Sequence, residues 1–389
     1  MTPEGVFQSM GRAFRAHRLW LAVLIATGGM FGTATAAAGA ASQPIYRSVG
    51  PGNTSAVDEG GVSGSLGIIG MTATFGQAVA DEVGVGDVIQ YSTTGGSTPN
   101  SLAFIHGRTD ARHFTVCDAQ GGTPAATSLS SPHWSIFRAY TSLYDAERGA
   151  ENTGIAAGLR DFDSWSGGKN LVTADQTWQI ACYADAADNT PTTFSGWTTG
   201  PDHYLRLFTP VAGGEAGTRQ RHNGVWSTSA FRSEVAGHSN LIFYLSHVRV
   251  EGLQLRQTAL TTGGSETLEV RADEPDQDFR IAYNIFQGDA ETAISGYAAV
   301  TFYSITAGAG SVRIWNNLIY DYRSTNANVP DAMQLADPDV DYYVYNNTVV
   351  DCDHGITQMN GASVLLVNNL AQNVALGYGG SFAAGSDYN

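Results

Sequence analysis

Five stretches in the last third of the chain alternate apolar and variable residues in one shared phrase: residues 248–253, 279–284, 312–317, 342–347 and 364–369. Val312-Arg313-Ile314-Trp315-Asn316-Asn317 is representative. Aligned on their sixth residues (Leu253, Asn284, Asn317, Asn347 and Asn369), the copies lie 31, 33, 30 and 22 positions apart. Alternation with a period of two predicts a strand. The Gly- or Asn-rich end of the phrase predicts a corner, because these residues tolerate left-handed backbone that β-branched side chains resist. An apolar run such as Leu318-Ile319 or Thr348-Val349-Val350 then opens the next strand. Self-similarity at this period means a solenoid, whose coils bury their apolar faces only by stacking on one another. Strand content in each repeat makes it a β-helix.

The phrase resembles the repeats of the right-handed parallel β-helix in the pectate-lyase-like superfold, where a strand, a corner Asn and a second strand recur. Residues 345–356 carry the best single copy, Tyr204-Leu205-Arg206-Leu207-Phe208 reads as an earlier coil, and the resemblance covers residues 204–389. It implies an all-β fold and says little about activity, since the superfold holds lyases, hydrolases, epimerases and non-catalytic surface proteins. The whole chain also looks like secreted bacterial β-helix repeat proteins. Asn284, Asn317, Asn347 and Asn369 read as a stacked ladder whose amides bond along the coil axis.

Upstream, residues 42–68 are rich in Gly, Ser and Val and read as a flexible leader. From 69 to 130, strand-like runs such as Asp87-Val88-Ile89-Gln90-Tyr91 alternate with turn clusters such as Thr94-Gly95-Gly96-Ser97, which predicts a small antiparallel β region or N-terminal cap. Ser142, with Asp145 three residues on and Gly149 beyond, frames a short helix suited to covering the first coil. The β-helix is expected over 131–389, with the surplus of the longer repeats projecting as loops such as 262–278 and 326–341. No capping pattern follows the last copy, so the chain is expected to be truncated or to continue into further coils.

The alignment also stacks side chains into columns. Four positions before the sixth residue stand Arg249, Arg280 and Arg313, then Tyr343 and Leu365. Their apolar neighbours must face the core, so the arginines are expected to face out. Parallel coils repeat at ~4.8 Å, which makes three arginines in register costly unless anions lie between them. The next outward column is Glu251, Ala282, Trp315, Tyr345 and Val367, so Trp315 and Tyr345 are expected to stack beside the arginine row. Together Arg249, Arg280, Arg313, Trp315, Tyr343 and Tyr345 suggest a ladder for an acidic polysaccharide, with guanidinium forks for carboxylates or sulfates and ring faces for sugars. The competing reading has Glu251 and loop acids neutralise the arginines, and the aromatics pack across coils.

Other constellations are weaker. Asp337, Asp339 and Asp341 offer alternate carboxylates suited to Ca²⁺, against the plainer reading of a solvated acidic turn. Glu269, Asp273, Glu274, Asp276 and Asp278 form a second acidic loop. Asp351-Cys352-Asp353-His354-Gly355 is similar to elements of galacturonan-cleaving β-helix hydrolases, but the other elements of that signature are missing, so a corner turn is the better reading. A lyase would need a charge neutraliser and a base. The sole lysine, Lys169, lies far from the coils, so Arg280 or Arg313 would have to serve. Ca²⁺ aside, no cofactor is expected.

Arg12, Arg15 and Arg18 precede a short apolar core and small residues at Ala34-Thr35-Ala36, which reads as a signal peptide over 1–41 and no membrane span after its cleavage. Three arginines against Glu4 give that segment +2, leaving −18 of the chain's formal −16 to the remainder. Such acidity argues against nucleic acid and anionic membranes as partners. Cys117 and Cys182 could pair in an oxidising compartment, with burial as small apolar residues the plainer state for all three cysteines, Cys352 above all. The leading expectation is a secreted or cell-surface protein that contacts polysaccharide or a surface glycan without an identified catalytic site. A polyuronate lyase or hydrolase is the competing class, and a structural adhesion rod is the third.

Overall fold

The computed structural model describes residues 42–60, 64–129, 133–163, 165, 167–258, 265–272, 276–289, 297–303, 309–325 and 329–389. Among them the chain winds through three parallel sheets in turn, one of eight strands and two of seven, while a fourth sheet of eight strands stands apart in the order of pairing. One coil runs Gln277–Ala282 on the first sheet, Ile285–Gln287 on the second, Ala298–Phe302 on the third, and returns to the first at Gly310–Trp315. This is the all-β parallel β-helix that the repeat predicts. The phrases pair in the expected register: Arg249 lies opposite Arg280, Arg280 opposite Arg313, and Arg313 opposite Tyr343. Their apolar partners (Val248, Val250, Phe279, Ile281, Val312, Ile314) are fully buried in one core that extends through the coils. Each coil thus covers the apolar face of the next.

The asparagine ladder is continuous. Asn284 Nδ2 donates to Asn317 Oδ1 at 3.0 Å, Asn317 to Asn347 at 2.9 Å and Asn347 to Asn369 at 3.0 Å. Asn369 donates in turn to Asn389 Oδ1 at 2.9 Å, one rung beyond the repeats recognised in the sequence. Leu253 heads the column, its N–H donating to Asn284 Oδ1. The left-handed corner lies one residue earlier than the ladder, at Gly252, Tyr283, Asn316, Asn346 and Asn368. The two asparagines of "Asn-Asn" therefore divide the work: the first takes the positive φ and the second turns inward to bond.

The described residues of 42–68 are not a flexible leader. Gln43–Val49 is the first strand of the first sheet, parallel to Gln176–Cys182. Ile45 and Val49 enter the core, and Arg47 is buried against Asp163 at 2.6 Å. The inward positions are Ile45, Arg47 and Val49, so a buried arginine interrupts the apolar alternation that would have marked the strand in the sequence. Between these two strands the chain builds the fourth sheet, which runs from Asp58–Glu59 to Trp134–Phe137 and so exceeds the expected 69–130 at both ends. Its strands pair antiparallel around a separate core containing Phe75, Phe114 and Trp134. Buried Arg138 ties it to the coils, bonding Asp87 and Asp185 at 2.9 Å each and lying 3.6 Å from the Tyr183 ring centre.

The helix Leu143–Arg148 forms as its signals predict. Ser142 Oγ accepts from the Asp145 N–H, and Gly149 ends the helix in left-handed backbone. Leu143 and Ala146 bury into the core of the coils. The expected option of a Cys117–Cys182 disulfide is not realised. All three cysteines are free and buried, Cys117 opposite Phe104 in the antiparallel sheet and Cys182 in the coil core. Burial pushes the Cys352 thiol up to about 12. The signal segment 1–41, Asp273, Glu274 and parts of the loops 262–278 and 326–341 lie outside the described residues. Among those described, no helix is long and apolar enough to cross a membrane.

Candidate functional site

The outward row of the first sheet is longer by one arginine than the phrase revealed. Arg206, from Leu205–Phe208, pairs with Arg249, giving Arg206, Arg249, Arg280, Arg313 and Tyr343 on successive coils. Arg206 is held by Glu251 at 2.6 Å. The other three converge on one carboxylate. Asp278 accepts from Arg249 Nη2 at 3.1 Å, Arg280 Nη2 at 2.9 Å and Arg313 Nη1 at 3.2 Å. Within the row four guanidiniums face only Glu251 and Asp278, with Asp276 and Asp341 standing beside it rather than paired to it.

The row is not uniformly exposed. The side chains of Arg280 and Arg313 are each 40% exposed, but that of Arg249 is only 9% exposed. The expectation that all three face solvent fails at Arg249, because the Tyr204 ring of the preceding coil lies 3.5 Å from its guanidinium carbon. Arg249 Nη1 is buried without a hydrogen-bond partner. Such an orphaned donor is costly, and more so on a charged group.

Beside the row lies a groove of about 400 Å³, lined by Pro201, His247, Asp276, Asp278, Arg280, Ser311 and Arg313 among others. Strand alternation builds it: His247, Asp278, Ser311 and Asp341 form the outward column two residues before the arginines. Burial pushes the His247 pKa down, which favours its neutral form. The groove therefore offers two guanidiniums, a hydroxyl and a neutral imidazole alongside two carboxylates. Asp278 was legible in the sequence only as one acid of a loop. Its place in the strand, two residues before Arg280, follows once the strand is seen to begin at Gln277.

The aromatic column forms, with a consequence the alignment did not reveal. Trp315 and Tyr345 stack at 5.8 Å between ring centres and 12° between planes. Each ring turns a face to the other along the coil axis, so the pair presents edges outward instead of a flat platform. Tyr343 is 37% exposed, with the Arg313 guanidinium 5.7 Å from its ring centre.

Asp337, Asp339 and Asp341 do not gather around a cation. Asp337 is 2% exposed and turns inward, its Oδ1 accepting the Asp339 N–H, while Asp341 stands exposed on the sheet face. Asp337 and Asp339 lie in the coil and turn before the strand Val340–Tyr345, so the alternation that would place the three carboxylates on one face does not extend over them. Among the described residues no group of three His, Cys, Asp or Glu could hold a metal ion. Asp351 and Asp353 act as turn residues: Asp351 bonds Arg323 at 2.7 Å and Asp353 accepts the Ser324 N–H at 2.7 Å.

No family model matches the chain, and no curated protein matches it. Among solved structures, the pectin methylesterase from Aspergillus niger is similar to it at 13% identity and a TM-score of 0.23, over 62% of this chain and 86% of that one. That likeness is too slight to bear on activity, and the parallel β-helix stands on the chain's own sheet topology.

Proposed function

We propose that this is a secreted or cell-surface β-helix protein that holds an acidic polysaccharide against the arginine row of its first sheet. The observation that carries the reading is the charge imbalance at Asp278, one carboxylate shared among Arg249, Arg280 and Arg313 beside an open groove. In a chain with a formal charge of −16, a concentrated cationic row is unlike its surroundings. Carboxylate or sulfate groups along a glycan complete the coordination of guanidiniums that Asp278 satisfies only in part. Sugar hydroxyls find partners in Ser311 and His247. No Ca²⁺ or other cofactor is needed for binding of this kind.

The test is retention on immobilised polygalacturonate and dextran sulfate. Arg280→Gln combined with Arg313→Gln should abolish retention, and Asp353→Asn should leave it unchanged. Wild-type retention should fall steeply with salt, because the contacts are ionic and exposed. Unaltered retention by the double variant would overturn the reading and leave the structural rod ahead. Asp276 and Asp278 in the same groove favour a second reading, a polyuronate hydrolase or lyase. Release of reducing or unsaturated ends by the wild type, lost in the double variant, would put it first.

A further inference from the structure

The corner column that precedes the asparagine ladder holds left-handed backbone at Gly252 (φ 78°), Tyr283 (59°), Asn316 (55°), Asn346 (56°), Asn368 (56°) and Tyr388 (57°). Glycine is unstrained there and asparagine tolerates it, whereas an aromatic residue takes it only at a conformational cost. Tyr388 lies at the far end of the column. Tyr283 directly follows the strand Gln277–Ala282, which carries Asp278 and Arg280. Its ring contributes little to the core, being 45% exposed. Instead it stands beside Trp315, which belongs to the outward column next to the arginine row. Its centre is 6.5 Å from Trp315, edge to face at 76°, and 5.8 Å from the Arg221 guanidinium carbon.

Backbone of this kind is held by the stacked corners around it, and residues so strained cluster at functional sites. Trp315 and Tyr345 turn faces on each other, so an exposed ring beside the row is what a sugar needs for stacking. We infer that Tyr283 is the platform on which a pyranose ring of the bound acidic polysaccharide rests, and so distinguishes a glycan from any other polyanion. The inference rests on the reading above, in which the arginines take the anionic groups. Tyr283 lies three residues beyond Arg280, roughly 10 Å along the chain at the rise of an extended strand. That reach lets one sugar pair with Arg280 and Arg313 while a ring further along the chain lies on Tyr283.

Two polymers separate the roles: polygalacturonate has carboxylates and rings, and polyacrylate has carboxylates alone. Tyr283→Asn should weaken polygalacturonate binding about tenfold and leave polyacrylate binding unchanged. The same variant should melt about 1–3 °C higher, since asparagine suits the left-handed corner. Tyr283→Phe should keep the wild-type affinity for both. Unaltered polygalacturonate affinity in Tyr283→Asn, an equal loss on both polymers, or a loss accompanied by a lower melting temperature would each overturn the inference. The arginine double variant keeps the two failures apart. If it loses both polymers while Tyr283→Asn loses neither, Tyr283 is only a corner residue and the binding reading stands. If it retains both, the binding reading falls and takes the platform with it.

Discussion

Replacing Asn317 by Leu, a side chain of similar size, probes what holds the coils in register. The Asn317 side chain is 1% exposed and makes five hydrogen bonds. Its Nδ2 donates to Ile281 O, Trp315 O and Asn347 Oδ1, and its Oδ1 accepts from the backbone N–H and the Nδ2 of Asn284. Leucine removes all five and leaves two donors of Asn284 facing a methyl group. Each orphaned buried donor costs about 1–3 kcal/mol, and transfer of the leucine side chain into the core returns about 1–2 kcal/mol. The net expectation is a loss of about 3 kcal/mol, read by denaturant unfolding with an unchanged slope. Asn347→Leu should behave alike, and the double variant should lose less than the sum, because the Asn317–Asn347 bond is broken only once. A loss within about 0.5 kcal/mol of zero for Asn317→Leu would show that the ladder decorates a stack held by apolar packing alone. Additive losses would refute the shared rung.

Two further outcomes follow from acids held in the fold, Asp278 half-buried and Asp188 buried. Asp278→Asn removes the carboxylate that three arginines share, so it should destabilise by about 1–2 kcal/mol, after allowance for the partial exposure of Arg280 and Arg313. It should recover in high salt and bind polygalacturonate more tightly, and weaker binding would contradict a ligand that competes for the same guanidiniums. Asp188 accepts the N–H of Leu143 and of Thr190, and burial pushes its carboxyl up to about 6. With the folded value raised above the unfolded one, its stabilising contribution is complete below the ordinary carboxylate range and lost as pH rises through 6. Wild type should therefore gain about 1 kcal/mol on Asp188→Asn between pH 7.5 and pH 5. A constant gap in urea melts across that range would show that Asp188 titrates normally. Comparison with the variant cancels the opposing effect of His106 and His222, which burial lowers to about 4.

The coil register was legible in the sequence because alternation and the Asn-Asn corner are local. Apolar residues at every second position fix which face is buried, and a one-residue slip would turn Arg280 and Arg313 into the core. The same locality gave the Leu143–Arg148 helix, whose cap and stop both lie within eight residues. The sequence by itself therefore decided the fold class, the ladder and the order of the outward columns. Tertiary structure decided the charges. Whether Arg249 is exposed depends on Tyr204, 45 residues earlier, and whether the arginines are neutralised depends on where the strand holding Asp278 begins. It also decided that Gln43–Val49 pairs across more than 120 residues with Gln176–Cys182, and that Asp337 is buried against Gln277 of the preceding coil while Asp339 and Asp341 stay exposed. These are contacts between segments distant in sequence, and electrostatic partnership depends on distance and burial, which no local pattern of residue types encodes.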